Sequence, residues 1–140
     1  MGETLTRGFR HGLTITIEMV KVIVPFYLMV ELLRHLGLIG FIGNLFRPFM
    51  RLFGLPGESA LALIAGYSTN LYAAIAVLKP LHLSSRDVTT LALMLGLSHS
   101  LLVETPITRR TGVNAWLLLG LRIALSLAAG MALNLIWKLF

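Results

Sequence analysis

Residues 58–78 read ESALALIAGYSTNLYAAIAVL, an apolar run with a glycine and four polar residues, GYSTN, at positions 66–70 in its centre. The run has the length of a transmembrane helix, because about 20 helical residues span the roughly 30 Å of hydrocarbon in a bilayer. Inside hydrocarbon, a backbone break and polar side chains persist only where protein or water surrounds them. Two structures are therefore open for this run. One is an ordinary crossing with a polar stripe, and the other, which we favour, is a re-entrant hairpin with Ser68, Thr69 and Asn70 at its tip.

The composition predicts an all-α integral membrane protein. Of 140 residues, 56% are hydrophobic and only 13% are charged, whereas soluble domains have about 25% charged residues. The net charge of +6 lies mostly in short gaps between apolar runs, where basic side chains meet lipid phosphates. We therefore expect a lipid bilayer as the partner and no nucleic acid. The length predicts a single domain, 1–140.

Two further segments precede the hairpin. Residues 13–34 predict a transmembrane helix, on which Glu18 and Lys21 share one face. They are interpreted either as an ion pair or as a site at which Glu18 couples to a proton or cation. Residues 35–57 predict an amphipathic helix in the membrane interface. Its expected lipid-facing stripe is formed by Phe46, Phe49, Met50 and Phe53, with Arg47 and Arg51 on another face.

A second polar break follows the hairpin. Ser84 and Asp87 have capping-box spacing and predict the start of a helix over about 87–105. The segment 96–100, GLSHS, interrupts this helix, and a final transmembrane helix is expected over 113–138.

The polar residues of this break have two open interpretations. Ser98, His99 and Ser100 either contact a substrate, with Glu104 as a proton or cation group, or only bond to a neighbouring helix. His99 and Glu104 lack the i, i+3 or i+4 spacing of metal ligands, so we predict no metal site. No nucleophile–base motif or phosphate loop is present in the sequence, and an enzyme is not expected.

The motifs GLPG (54–57), ESAL (58–61), Gly66 and LSHSLLVETP (97–106) resemble the Gate, or nucleoside-recognition, domain family. The resemblance covers roughly residues 15–138. Similar domains occur in bacterial ferrous-iron transport protein B and in spore-maturation membrane proteins, and one repeat of a concentrative nucleoside transporter is also similar. The resemblance implies the order scaffold helix, interfacial helix, re-entrant hairpin, broken helix and last helix. It also implies a substrate site formed by Ser68, Thr69 and Asn70 with Ser98, His99 and Ser100.

The resemblance further implies a second repeat, inverted in the membrane. This chain departs from the transporters because it lacks their polar Gln and Glu side chains at the hairpin, which puts a nucleoside substrate in doubt. Basic residues are divided four to six between the two membrane sides on the hairpin topology, and five to five on the ordinary-crossing topology. A chain that inserts in both orientations shows such a small difference in positive charge between the two membrane sides. We hypothesise an antiparallel homodimer, or a pair with a paralogue, in a prokaryotic plasma (inner) membrane.

The resulting functional prediction is a homodimeric half-transporter for a small solute, without a cofactor except for an unidentified coupling cation. In this mechanism, the hairpin and the broken helix move against the N-terminal helix to give alternating access. Two alternatives stay open. One is a non-transporting assembly protein of the sporulation type, and the other is a metal-cation transporter.

Overall fold

The structure, a computed structural model, describes residues 2–139, and these residues form helices and no β-strand. The α-helices are α1 (Gly2–His35), α2 (Leu38–Met50), α3 (Ala60–Ser68), α4 (Leu71–Leu78), α5 (Ser85–Leu97), α6 (Leu101–Arg109) and α7 (Ala115–Leu139). Within the described residues, α1, α5 with α6, and α7 are each long and apolar enough to cross a membrane. The all-α membrane fold class predicted from the sequence is confirmed.

The first helix is longer than predicted, because it begins at Gly2 and not at residue 13. Polar side chains in the added turns bond within the helix itself. Arg7 lies 3.7 Å from Glu3 in an ion pair, and the Thr14 hydroxyl donates to the Arg10 carbonyl at 3.0 Å. A helix of 34 residues is about 51 Å long, which exceeds the roughly 30 Å of hydrocarbon. The N-terminal turns therefore extend beyond the apolar part of the bilayer.

Helix α2 lies almost perpendicular to the helix that follows it. The stretch Leu38–Phe53 meets Gly57–Ser68 at an angle of 89°. Since α3 is one arm of the hairpin described below, a hairpin along the membrane normal places α2 in the membrane plane. This orientation agrees with the predicted interfacial helix.

The expected lipid-facing stripe of α2 is partly wrong. Met50 and Phe53 are buried in the core, with Phe46 packed against it. Only Phe49 of the predicted stripe is exposed. A neighbouring stripe is exposed instead, formed by Phe41, Leu45, Phe49 and Leu52. Both stripes are apolar, so residue composition does not distinguish the stripe that faces the protein core from the stripe that faces lipid.

Helices α3 and α4 fold back on each other as the re-entrant hairpin. A Cβ placed on Gly66 would lie 3.0 Å from the Cβ of Ala74. In one continuous helix, residues eight apart are about 12 Å apart along the axis. The two arms are therefore antiparallel and form no single crossing. Helix α3, with nine residues, is about 14 Å long, roughly half of the hydrocarbon thickness.

One side of the hairpin packs on α1 through small apolar side chains, and we call this side the alanine face. Its hairpin residues are Ala62, Ala65, Ala73 and Val77, which are buried around Val30 of α1. These side chains carry no polar atom. At the base of this contact, the Arg34 guanidinium lies 3.4 Å from the Pro80 carbonyl.

The opposite side packs on α5. Leu91, Met94 and Leu95 are almost completely buried in a cluster that includes Leu63 and Ala74 of the hairpin. Helix α7 covers this cluster closely at Gly130, where a Cβ would lie 2.7 Å from the Met94 sulfur. The hairpin is therefore held between α1 on one side and α5 with α7 on the other.

The later helix boundaries are mostly as expected. The predicted capping box is present, because the Ser84 hydroxyl accepts from the Asp87 N–H and the Asp87 carboxylate accepts from the Ser84 N–H. Helix α5 begins at Ser85, slightly earlier than predicted. Helix α6 continues through Pro106 to Arg109, which corrects the predicted end at about 105. Helix α7 begins at Ala115, where the Asn114 side chain accepts from the Leu117 N–H at 3.2 Å.

Candidate functional site

The tip of the hairpin joins α3 and α4 through Thr69 and Asn70. The Asn70 side-chain oxygen accepts from the Ala73 N–H at 2.9 Å and caps α4. The Ser68 hydroxyl donates to the Ile64 carbonyl at 2.6 Å, and the Thr69 hydroxyl lies 3.4 Å from that of Ser68. Asn70 thus satisfies a backbone N–H that the break exposes, whereas Ser68 bonds back to its own helix. All three predicted tip residues lie at the turn, and all are partly accessible.

The second break separates α5 from α6 at the predicted residues. Ser98 is fully buried, and its hydroxyl has no hydrogen-bond partner within residues 2–139. Ser100 has a left-handed backbone with φ of 52°, which interrupts the helix before α6 begins. The imidazole Nδ1 of His99 is also buried without a partner in the described chain. A buried polar group without a partner is costly, so this break has unused hydrogen-bonding capacity.

The two breaks are in direct contact. The Ser100 N–H, at the start of α6, donates to the Gly66 carbonyl of the hairpin at 2.9 Å. The approach depends on Gly66, because a Cβ there would run into the Leu95 side chain of α5. Of the predicted site residues at the second break, Ser100 therefore bonds to the hairpin, at Gly66 of α3.

Arg122 of α7 holds the second break. Its guanidinium donates to the Leu97 carbonyl at 3.4 Å and to the His99 carbonyl at 3.1 Å. The same group forms an ion pair with the Glu104 carboxylate of α6. Arg122 therefore connects the end of α5, the break and α6. A positive charge at the carbonyl end of one helix and beside an acidic residue is electrostatically favourable.

His99 and Glu104 are closer than their sequence spacing suggested. The His99 Nε2 atom lies 3.8 Å from the second Glu104 oxygen, because the break redirects the chain between them. Within residues 2–139, no group of three His, Asp or Glu side chains is placed to hold a metal ion. Since Glu104 already pairs with Arg122, its negative charge is compensated inside the protein.

A hydrogen-bond chain ties the hairpin to α5 through α7. The Ser126 hydroxyl of α7 donates to the Met94 carbonyl at 2.7 Å, and it lies 2.5 Å from the Tyr67 hydroxyl. Because the Ser126 proton is used towards Met94, Tyr67 is the donor of the second bond. The side of the hairpin that bears Gly66 and Tyr67 is called the break face below.

Glu18 lies on the other side of the hairpin tip. It lines a cleft of about 340 Å³ together with Asn70 and Tyr72. The predicted ion pair with Lys21 is wrong, since both side chains are exposed and no ion pair joins them in the described structure. Glu18 is thus placed near the hairpin tip, whereas Glu104 is near the second break.

Three residues of this region were not among the predicted site residues. They are Tyr67, Arg122 and Ser126. One signal was available for Arg122, because an arginine within a transmembrane helix requires a partner, and Glu104 is an acidic residue in the preceding helix. Tyr67 and Ser126 gave no comparable signal, since hydroxyl groups are common in such helices.

Comparisons with known proteins agree with the sequence motifs. The family model Gate, described as nucleoside recognition, matches residues 16–115. The chain is 37% identical over 137 residues, 98% of its length, to the uncharacterized membrane protein YvoD of Bacillus subtilis, of which it covers 44%. It is 37% identical over 59 residues, 41% of its length, to the inner membrane protein YjiG of Escherichia coli, of which it covers 39%.

An archaeal relative is similar over a shorter stretch. The uncharacterized protein MJ0880 of Methanocaldococcus jannaschii is 36% identical over 74 residues, which is 48% of this chain and 24% of that protein. The chain spans less than half of the length of each of these relatives. No solved structure matches the chain significantly.

Proposed function

The chain belongs to the Gate, or nucleoside-recognition, family of membrane proteins, and from this premise we propose that it is half of a transporter for a small polar solute. The single observation that carries the proposal is the bond between the two breaks, from the Ser100 N–H to the Gly66 carbonyl. Interrupted helices at membrane depth provide the backbone groups with which transporters bind their substrates. A chain of 140 residues that places two such interruptions against each other has the elements of a binding site.

The chemistry of the breaks favours a neutral solute with hydroxyl or N–H groups. The Ser98 hydroxyl and the His99 Nδ1 atom are buried without partners in the described chain, and the Thr69 hydroxyl is partly accessible. The one carboxylate beside the second break, Glu104, is neutralised by Arg122. A nucleoside has suitable hydroxyl groups. The site suits a metal cation less well, because the expected ligands His99 and Glu104 lie beside the positively charged guanidinium of Arg122.

We further propose that the unit 1–140 works as an antiparallel homodimer, or paired with a paralogue, in a prokaryotic plasma membrane. On the hairpin topology, the basic residues are divided four to six between the membrane sides, and such a small bias permits insertion in both orientations. A relative more than twice as long as this chain has room for two such units in one polypeptide. An inverted second copy supplies a second hairpin and a second break.

The proposed movement takes place at the alanine face. The buried centre of that contact is formed by alanines and valines around Val30, so this part of it can shift without breaking directional bonds. The break face is held by the Tyr67–Ser126 bond and by the bond from the Ser100 N–H to the Gly66 carbonyl, and Arg122 ties α7 to the second break. The hairpin, the α5–α6 break and α7 therefore move as one body relative to α1. Glu18 of α1, which lines a cleft with Asn70, is a candidate coupling residue.

Transport is tested by uptake of labelled uridine and labelled adenosine into proteoliposomes that contain the full chain. We expect uptake above that of empty liposomes, and we expect its loss in Asn70→Ala and in His99→Ala. Asn114→Ala is the matched control, because Asn114 caps α7 in the way that Asn70 caps α4. Each variant is first shown to be monodisperse. Full uptake in both site variants contradicts a site at the breaks.

The orientation is tested separately with reporter fusions at the C-terminus. A fluorescent protein that matures only in the cytoplasm and a phosphatase that is active only outside it should both give signal. Signal from one reporter alone contradicts the antiparallel homodimer, although it leaves pairing with a paralogue in place.

An assembly protein is the second candidate, and one observation favours it. The side chains of Ser68 and Asn70 already bond to nearby backbone groups of the hairpin. Such bonds are expected of residues that stabilise a turn packed against another protein. This alternative predicts that the chain transports none of the tested solutes and co-purifies with a partner protein whose binding is lost in the two tip variants.

A further inference from the structure

A cleft along α2, away from the hairpin tip, contains both signs of charge. Its volume is about 480 Å³, within the roughly 300–1,000 Å³ that is usual for small-molecule sites. Asn44 and Arg47 line it from α2, Arg51 lines it from the residue directly after α2, and Glu58 lines it from the 3-10 turn before α3. Close contact of Gly43 with Gly57 forms part of its wall, since a Cβ on Gly57 would meet the Gly43 backbone. Two arginines and one carboxylate therefore share one open space.

The charged groups of this cleft are not used within the described chain. No hydrogen bond or ion pair involving the side chains of Arg47, Arg51 or Glu58 is found in residues 2–139. Each of the two guanidinium groups offers donors in a planar fork that suits phosphate oxygens. The Glu58 carboxylate is an acceptor for N–H groups. The cleft is thus complementary to a ligand with a phosphate at one end and an ammonium group at the other.

The position of α2 places this cleft at the height of lipid head groups. The same helix exposes an apolar stripe in which Phe41 is 68% and Phe49 is 64% accessible. Since α2 lies at 89° to α3, a hairpin along the membrane normal lays α2 along the membrane surface, where an apolar stripe packs on the acyl chains. A helix at the boundary between head groups and acyl chains typically has aromatic and aliphatic side chains towards the acyl chains and arginines beside them.

We propose that the cleft binds the head group of a phospholipid with a primary ammonium, of the phosphatidylethanolamine type. Arg47 and Arg51 bind the phosphate, and Glu58 accepts from the ammonium group. Phosphatidylglycerol has the phosphate but no cation for Glu58, and the carboxylate repels its net negative charge. Phosphatidylcholine has a cation without an N–H to donate. The preference for one head group therefore follows from the presence of Glu58 in the same cleft as two arginines.

The experiment measures the thermal unfolding of the full chain in detergent with each of the three lipids at equal concentration. We expect phosphatidylethanolamine to raise the midpoint more than the other two lipids. Arg47→Gln combined with Arg51→Gln should remove this increase, with apparent affinity reduced on the order of tenfold or more, because two charge-assisted bonds are lost. Arg7→Gln with Arg10→Gln is the matched control, since it removes the same charge from exposed helical positions and should keep the increase.

Glu58→Gln provides the sharper test. It should abolish the preference for phosphatidylethanolamine over phosphatidylglycerol while binding of phosphate is retained. An equal response of the unchanged protein to these two lipids overturns the proposal, and so does an equal loss in the control variant. If soluble phosphoethanolamine reproduces the full increase, the ligand is a free solute and the proposed lipid site is wrong.

Discussion

The hairpin contacts α1 on its alanine face and the α5–α6 break with α7 on its break face, and the two contacts differ in chemistry. On the alanine face, Val30, Ala62 and Ala73 are completely buried, and the buried cluster around them contains no polar side chain. On the break face, the Tyr67 hydroxyl and the Gly66 carbonyl are bonded to α7 and to the start of α6. One element thus has an apolar contact on one side and a directional contact on the other.

This difference indicates which parts move together. Hydrogen bonds and ion pairs fix the position of a helix, because a small displacement removes most of their energy. The free energy of a contact between methyl groups depends on the apolar area that is buried. It changes little when the helix slides and one small side chain takes the place of another beside it. We therefore expect the break face to be the rigid side of the hairpin. The alanine face is the side along which the hairpin slides relative to α1. Four substitutions test the two halves of this statement.

The largest effect is expected for Arg122→Gln. The change removes the ion pair with Glu104 and the bonds to two carbonyls, and we expect the free energy of unfolding to fall by about 2–3 kcal/mol. Adding Glu104→Gln should recover at least half of this loss, because it removes the unpaired carboxylate. The measurement is unfolding by detergent titration. Arg7→Gln, at an exposed ion pair, should have no measurable effect. A stable single variant would show that Arg122 does not stabilise the second break.

Gly66→Ala should have the next largest effect. The new methyl group would meet Leu95 and lie 3.0 Å from the Ala74 Cβ, and overpacking of this kind costs about 1–3 kcal/mol. We expect a lower thermal midpoint. Gly120→Ala, at a position in α7 with no atom within 4 Å of the added Cβ, should leave the midpoint unchanged or raise it. Equal behaviour of the two variants would contradict the close approach of the hairpin to α5.

Val30→Ala tests the alanine face. Val30 is 0% accessible, and removing its two methyl groups should destabilise the protein by about 1–2 kcal/mol. Val24→Ala is the control, because Val24 lies in the same helix and is 45% accessible. Thermal unfolding of both variants under identical conditions provides the comparison. A loss as small as that of the control would mean that α1 does not pack on the hairpin.

The smallest effect is expected for Tyr67→Phe. It deletes one hydrogen bond, to Ser126, and should lower the free energy of unfolding by about 1 kcal/mol. The ring stays in place, so packing is preserved. Tyr72→Phe is the control at an exposed position of α4, and it should behave as the unchanged protein. If the two variants are indistinguishable, the bond between the hairpin and α7 contributes nothing to the break face.

Much of the fold could be predicted from local sequence patterns. The capping box at Ser84 and Asp87 and the breaks at 66–70 and 96–100 depend on neighbouring residues, and the structure has all three where the sequence indicated them. The hairpin was predictable because polar residues in the middle of an apolar run need surrounding protein.

The parts that could not be predicted depend on contacts between distant residues. The sequence shows an arginine in the last helix, but its pairing with Glu104 depends on how α6 and α7 pack across the turn between them. The division of α2 into core-facing and lipid-facing stripes also required the structure. In a soluble protein, a polar surface marks the outside of a helix, whereas in a bilayer both the core and the surroundings are apolar.

The bond from the Ser100 N–H to the Gly66 carbonyl also makes one amide a reporter of the site. This proton exchanges with deuterium only when the hairpin and the broken helix separate. The Tyr67–Ser126 bond holds the hairpin to α7, and Ser126 is bonded in turn to Met94 of α5, so this chain also opposes the separation. Its protection in the unchanged chain therefore gives the free energy of separating the two breaks, and a bound solute that bridges them will increase that protection.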